Sequence, residues 1–226
     1  MTFSVTIATD GSCIQSGDYR SGVNEMSRPG AWGFVARLAD GQIVKRAIPF
    51  ADTTIGAMEV AALLNALEYV AVDIEGTVLI QCDSQYVVNG YNEWIAGWAA
   101  KNFTKKGGLA HAVAWRRIHE LKTSLGARVK VEWVKAHSNS GSLNDLVDAL
   151  ANGCARDQIP VGVDILSETK APVGAGSETA AGEAQCETHI LQRTLAFLLT
   201  LHGDEPLARA REIRELLDRR QAEVPA

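Results

Sequence analysis

The chain holds 226 residues with a formal net charge of −5, and 46% of its residues are hydrophobic. That length exceeds the usual single-domain mode, so one domain of roughly 150 residues plus an appendage is expected in a soluble globular protein. No stretch approaches the ~18 consecutive apolar residues of a membrane span, "MTFSVTIATDG" meets an aspartate too early for a signal peptide, and the cysteines lack any C-x-x-C pairing; these features exclude membrane, zinc and disulfide-framework readings and imply a cytoplasmic address.

In chain order, "SVTIATD" (4–10) alternates like a strand and ends at Asp10. "GAWGFVARLADGQIVKRAIPF" (30–50) reads as a hairpin turning at Asp40-Gly41. From Ala57 the spacing becomes helical and closes at Gly76. A strand over 77–82, helices near 84–100 and 108–124, a strand over 128–134 and a helix from about Leu143 to Arg156 complete the unit. The order βββαβα(α)βα implies an α/β fold: a five-stranded mixed sheet flanked by helices, with the first and fourth strands parallel and adjacent. Beyond Pro160 the composition changes. Residues 161–187 include the Gly/Ala/Ser/Thr/Glu-rich stretch "SETKAPVGAGSETAAGEAQ" and read as a flexible linker, and 188–226 as a C-terminal helical extension.

Four acids stand where the chain changes state. Asp10 ends a strand, Glu59 lies in the first turns of a helix, Asp83 follows "TVLIQC", and Asp148 lies on the last core helix. Each alone has an ordinary explanation: Asp83 as a cap for the next helix, Glu59 as a partner of the helix dipole, Asp148 as a solvated charge. The parallel first and fourth strands, however, put Asp10 and Asp83 at one sheet edge, where open α/β sheets bind ligands. Like charges gathered in a partly desolvated cleft require a cation, and carboxylates without Cys or His suit Mg2+, with Mn2+ as a substitute. Two such ions perform phosphodiester hydrolysis.

The stretches "TDGSC" (9–13), "AMEVAALLNAL" (57–67), "CDSQYVVNG" (82–90) and "EWVKAHSNSGSLNDLVDALA" (132–151) together resemble type 1 ribonuclease H, over about residues 4–157. The resemblance implies the ribonuclease H-like fold and an endoribonuclease that cleaves the RNA strand of RNA–DNA hybrids, leaving 5′-phosphate and 3′-hydroxyl ends. It carries metal ligation onto Asp10, Glu59, Asp83 and Asp148. It also gives His137 a part in proton transfer or product departure, in a loop one residue longer than the common form. Substrate contacts fall to the backbone of Gly11, Ser12 and Cys13, to Gln85, and to Asn144. Two departures accompany these matches: Ile55 and Gly56 stand where the family has an asparagine pair, and the stretch from Ile14 to Pro29 is longer than the family's turn.

A binding face is also legible. Residues 101–135 carry nine basic side chains against Glu120 and Glu132, inside an acidic protein. Just before and within that window, "YNEWIAGWAAKNFTKKGG" (91–108) sets Trp94, Trp98 and Lys101 at helical spacing, followed by Lys105 and Lys106. One reading docks the tryptophans in the core. The other is a basic protrusion, similar to the handle with which bacterial members of the family grip DNA, with phosphate contacts supplying affinity. A hybrid-binding module without efficient cleavage is the alternative from another class, and the intact acid set argues against it. For the C-terminal helices, packing on the catalytic domain, self-association and binding a protein partner remain open.

Overall fold

The computed structural model describes residues 3–14, 28–136 and 141–162. Strand β1 (Val5–Cys13) does not stop at Asp10. Its two neighbours end at different points. The parallel ladder with β4 (Val78–Cys82) runs only from Val5 opposite Val78 to Thr9 opposite Cys82. On the other side, the antiparallel ladder with β2 (Arg28–Arg37) continues to Cys13 opposite Gly30. Asp10 is therefore the first residue past one ladder while the other still holds it opposite Gly33.

The hairpin forms as expected between β2 and β3 (Ile43–Thr53). Gly41 adopts φ +87 at its tip, a conformation that favours glycine, and Asp40 accepts the Gln42 N–H at 2.9 Å. With β5 (Val129–Trp133) parallel to β4, the sheet order is β3-β2-β1-β4-β5, a mixed sheet with β1 at its centre.

Successive strand side chains face opposite sides, and the two long helices divide those sides. Helix α1 (Ile55–Asp73) begins at Ile55 because Thr54 caps it, accepting the Ala57 N–H at 3.3 Å. Its length and apolarity would suit a membrane span, but 61% of that stretch is buried, as in a core helix. The opposite side of the sheet is covered by the helix Leu143–Asp157, whose Leu143 and Val147 pack with Ala8 and Val35.

The helix expected over 84–100 is interrupted. It comprises α2 (Gln85–Asn89), a π turn over Gly90–Trp94 and α3 (Ile95–Ala100). A single extra residue per turn marks such bulges. The cause is non-local: the fully buried Trp115 ring lies so close that a Cβ on Gly90 would stand 2.4 Å from its Cη2. Lys122 donates to the Tyr91 carbonyl within the turn. Helix α4 (Ala112–Leu125) likewise starts later than residue 108, because Gly107 and Gly108 adopt φ +87 and His111 φ 57.

Helix α5, Leu143–Asp157, opens with a reciprocal capping box between Ser142 and Asp145. After it the domain continues past Pro160, since Val161 exchanges two 2.9 Å backbone hydrogen bonds with Ala47 of β3. The linker and helices expected beyond lie outside the described residues.

Candidate active site

The acid edge is assembled from four elements. Asp10 and Asp83 share one edge because their strands are parallel and each follows the last rung of the β1/β4 ladder. Glu59 is brought in by a close approach of backbone to backbone. A Cβ on Gly11 would lie 2.3 Å from the Glu59 nitrogen and 2.5 Å from the Met58 carbonyl carbon, so only glycine lets α1 sit this close to β1. Asp148 comes from α5 on the opposite side of the sheet.

All four acids are half-buried, and Asp10 feels each of the other three. Its carboxyl is pushed up to about 8, first by burial, then by the negative charges of Asp83 and Asp148 and more weakly of Glu59, against the opposing Gly11 N–H. Glu59 is also raised, chiefly by burial, although the buried Ser84 donates its hydroxyl to Oε2 at 2.7 Å and favours the charged form. Asp83 accepts a 3.4 Å bond from Asn144 Nδ2 at its side chain and a 2.9 Å bond from the Trp133 indole at its main-chain carbonyl.

This donor set fits a hard divalent cation, being all oxygen and partly desolvated. Among the described residues, however, no three His, Cys, Asp or Glu side chains already stand in metal-holding geometry. Asp10 and the other three carboxylates repel one another, and a divalent cation held among them would offset that repulsion.

Other anticipated site residues divide by environment. Gln85 is exposed at the first residue of α2. Ser12 is buried and donates to Asn152 Oδ1 at 3.2 Å, so its hydroxyl is spent on α5 packing. Cys13 is half-buried, and burial pushes its thiol up to about 11, keeping it neutral. Asn144 is only 4% exposed and faces Asp83. His137 lies outside the described residues. At the departure from the family pattern, Ile55 is exposed and His111 reaches across Gly56, its Nε2 3.4 Å from where a Cβ would stand.

The protrusion combines both readings offered by its sequence. Tyr86, Trp94, Trp98 and Trp115 form a connected aromatic group, with centroid separations of 6.1 Å, 5.8 Å and 5.1 Å from Tyr86 through Trp94 and Trp98 to Trp115. Trp115 anchors it, donating its indole N–H to the Tyr86 hydroxyl at 3.0 Å, while Trp94 remains 39% exposed and Trp98 half-buried. Lys101, Lys105 and Lys106 are exposed in the turns that follow. Arg116 fixes the start of that loop by bonding to Asn102 at 2.8 Å and stacking on Phe103.

Sequence reasoning passed over Ser84 and Trp133. Ser84 directly follows Asp83, so its neighbourhood was visible, but the bond to Glu59 crosses 25 residues. Trp133 ends β5, 48% exposed, and its link to Asp83 spans 50 residues, so only the pairing of β4 with β5 reveals it.

Residues 3–156 match the RNase H family model. The chain is 33% identical over 150 residues to the ribonuclease H of Albidiferax ferrireducens, covering 66% of this chain and 91% of that protein. It is 35% identical over 151 residues to the ribonuclease H of Polaromonas naphthalenivorans, covering 66% of this chain and 84% of that one. In three dimensions it resembles a type 1 RNase H carrying the type 2 active-site motif, with a TM-score of 0.59 at 23% identity over 83% of this chain and 86% of that one, a likeness of fold. The central β1/β4 pair with its edge of acids, the helix wedged onto Gly11 and the match over residues 3–156 lead to one assignment: the chain belongs to the ribonuclease H family, type 1.

Proposed function

We propose that this domain is a divalent-metal-dependent endoribonuclease that hydrolyses the RNA strand of RNA–DNA hybrids. The observation that carries the reading is the convergence at the acid edge. Asp10 and Asp83 each follow the last rung of the β1/β4 ladder, Gly11 admits the backbone of Glu59 against β1, and α5 brings Asp148, so that like charges from different elements repel at one place. A structural protein has no use for such repulsion. Asp10, Glu59, Asp83 and Asp148 would hold two Mg2+ ions, or Mn2+ in their place. When bound, such a pair supplies an activated water and stabilises the leaving 3′ oxygen, which accounts for 5′-phosphate and 3′-hydroxyl products.

The chain's own groups supply the rest. Ser84 orients the Glu59 carboxyl by donating its hydroxyl to Oε2, which opposes the upward push of burial. The backbone of Gly11–Cys13 and the amide of Gln85 read the 2′-hydroxyls in the wide, shallow minor groove, which separates RNA from DNA at the cut strand. Trp94 and Trp98 present ring faces, and Lys101, Lys105 and Lys106 neutralise phosphates of the DNA strand. His137 moves a proton at the departing end.

End-labelled RNA–DNA hybrid, RNA duplex and DNA duplex, each incubated with the purified protein with and without Mg2+, test the reading. Cleavage of the hybrid alone, and only with Mg2+, is expected. Tight hybrid binding without cleavage would leave a binding module instead.

A further inference from the structure

Asp83 is held from two sides by residues that the proposed chemistry leaves without a task. Asn144, on the first turn of α5, is 4% exposed and donates its Nδ2 to Asp83 Oδ2 at 3.4 Å. Its Oδ1 is buried with no hydrogen-bond partner. A buried amide with a bare carbonyl oxygen is a poor packing element, because an apolar side chain of similar volume would avoid the desolvation penalty. The negative charge on Asp83 also dictates the orientation of the amide, since the reverse flip would turn a lone pair onto the carboxylate. From the other side, Trp133 ends β5 opposite Cys82. Its indole Nε1 donates to the Asp83 main-chain carbonyl at 2.9 Å, one residue beyond the point where Val134 N–H bonds Cys82 O at 3.0 Å. The β4 exit is thus pinned at two successive carbonyls, and the side chain that follows is steered by a third bond from α5.

We infer that Asn144 and Trp133 are positioning residues that orient Asp83 for a divalent cation, Asn144 through the carboxylate and Trp133 through the main chain. Asn144 then serves the reaction without touching the hybrid. Its burial supports this, because a side chain 4% exposed has little surface to offer a nucleic acid. The inference rests on the proposed role of Asp83 as a cation ligand, so D83N is the control.

The test uses the full-length chain carrying N144A, N144D, W133F or D83N, and reads three quantities: the rise in melting temperature as Mg2+ is titrated without hybrid, hybrid affinity in EDTA, and single-turnover cleavage against Mg2+ concentration. Groups that orient metal ligands typically matter by about 10–100-fold in metal affinity or activity. N144A is therefore expected to raise the half-saturating Mg2+ concentration about 10–100-fold, and W133F by less, with hybrid affinity within about twofold of the parent. N144D keeps the volume of the side chain and loses the donor, while adding a like charge beside Asp83 that N144A does not. A Mg2+ defect shared by N144A and N144D, with the cation-free melting temperature of N144D preserved, therefore separates positioning from packing. Unchanged Mg2+ responses in N144A, N144D and W133F beside a lost response in D83N overturn this inference alone. Weakened hybrid affinity at an unchanged Mg2+ response also overturns it, by making Asn144 a substrate contact. An intact Mg2+ response in D83N overturns the proposed site and this inference together.

Discussion

The acid edge and the aromatic-basic protrusion are built by opposite means. Asp10, Glu59, Asp83 and Asp148 come from positions spread over most of the domain and meet only because the sheet places β1 beside β4 and the helices cover its two sides. Trp94, Trp98, Lys101, Lys105 and Lys106 come from a single segment, held against the domain by Trp115 and Arg116 of α4. The proposed chemistry therefore rests on residues that only the tertiary fold brings together. The proposed grip rests on a segment whose lysines are exposed. Damage to the first should abolish turnover and spare binding, whereas damage to the second should weaken binding in proportion to the charges removed.

The sharpest way to break that contrast is D10N or D83N. Each removes a proposed carboxylate ligand and no basic side chain, so single-turnover cleavage should fall by about 10³-fold or more, since a bound metal contributes several kcal/mol. Hybrid affinity in EDTA should remain within about twofold. Near-parental cleavage by both variants would remove the acids from the chemistry.

Next in size is G11A. The added methyl would collide with the backbone of Met58 and Glu59, at 2.5 Å and 2.3 Å, which cannot swing aside as a side-chain tip can. Overpacking of this kind costs about 1–3 kcal/mol, so the urea midpoint should drop and cleavage should fall with it as Glu59 is pushed from the edge. A variant of unchanged stability and full activity would show that α1 is free to retreat.

The edge should also declare itself in the cation-free protein through pH. Asp10 is raised in the folded state to about 8, against roughly 3.9 for a free aspartate, so the folded state binds the extra proton. The stability that this proton contributes is complete below the unfolded value and is lost as pH rises through the folded one. The melting temperature in EDTA should therefore decline between about pH 4 and pH 8, D10N should flatten that decline and exceed the parent at pH 8, and Mg2+ should restore the parent. Calorimetry that finds D10N the less stable protein at pH 8 in EDTA would contradict the electrostatic reading of the edge.

The mildest prediction concerns the protrusion. Replacing Lys101, Lys105 and Lys106 by alanine should leave cleavage at saturating hybrid unchanged. It should lower affinity and reduce the log–log salt slope by about 0.9, on the duplex-DNA scale, for each phosphate left without its lysine. An unchanged slope would mean that these lysines face only solvent.

What the sequence disclosed follows the same division. The β1/β4 adjacency and the acids that it gathers were readable because strand order and handedness leave few arrangements. The run of β1 beyond Asp10 was not, because it depends on how far β2 follows on the other side, and apolar alternation in β1 carries no trace of that. The break in the helix over 84–100 escaped for a similar reason: its cause, Trp115, lies 25 residues downstream of Gly90 in another helix. The burial of Asn144 against Asp83 could be suspected from its i, i+4 spacing with Asp148, but the bond itself spans 61 residues.

The capping box at Ser142 and Asp145 gives the domain a tolerance that its loop would otherwise lack. On an α-helix each residue of offset rotates a side chain by roughly 100°, so one displaced position at the start of α5 would swing Asp148 away from Asp10. With the start locked by Ser142, an insertion upstream is absorbed before the helix begins, and the rotational phase of Asn144 and Asp148 is reset to the same value each time. A change of length in the segment between β5 and α5 would therefore need no correction in the helix that carries the fourth acid.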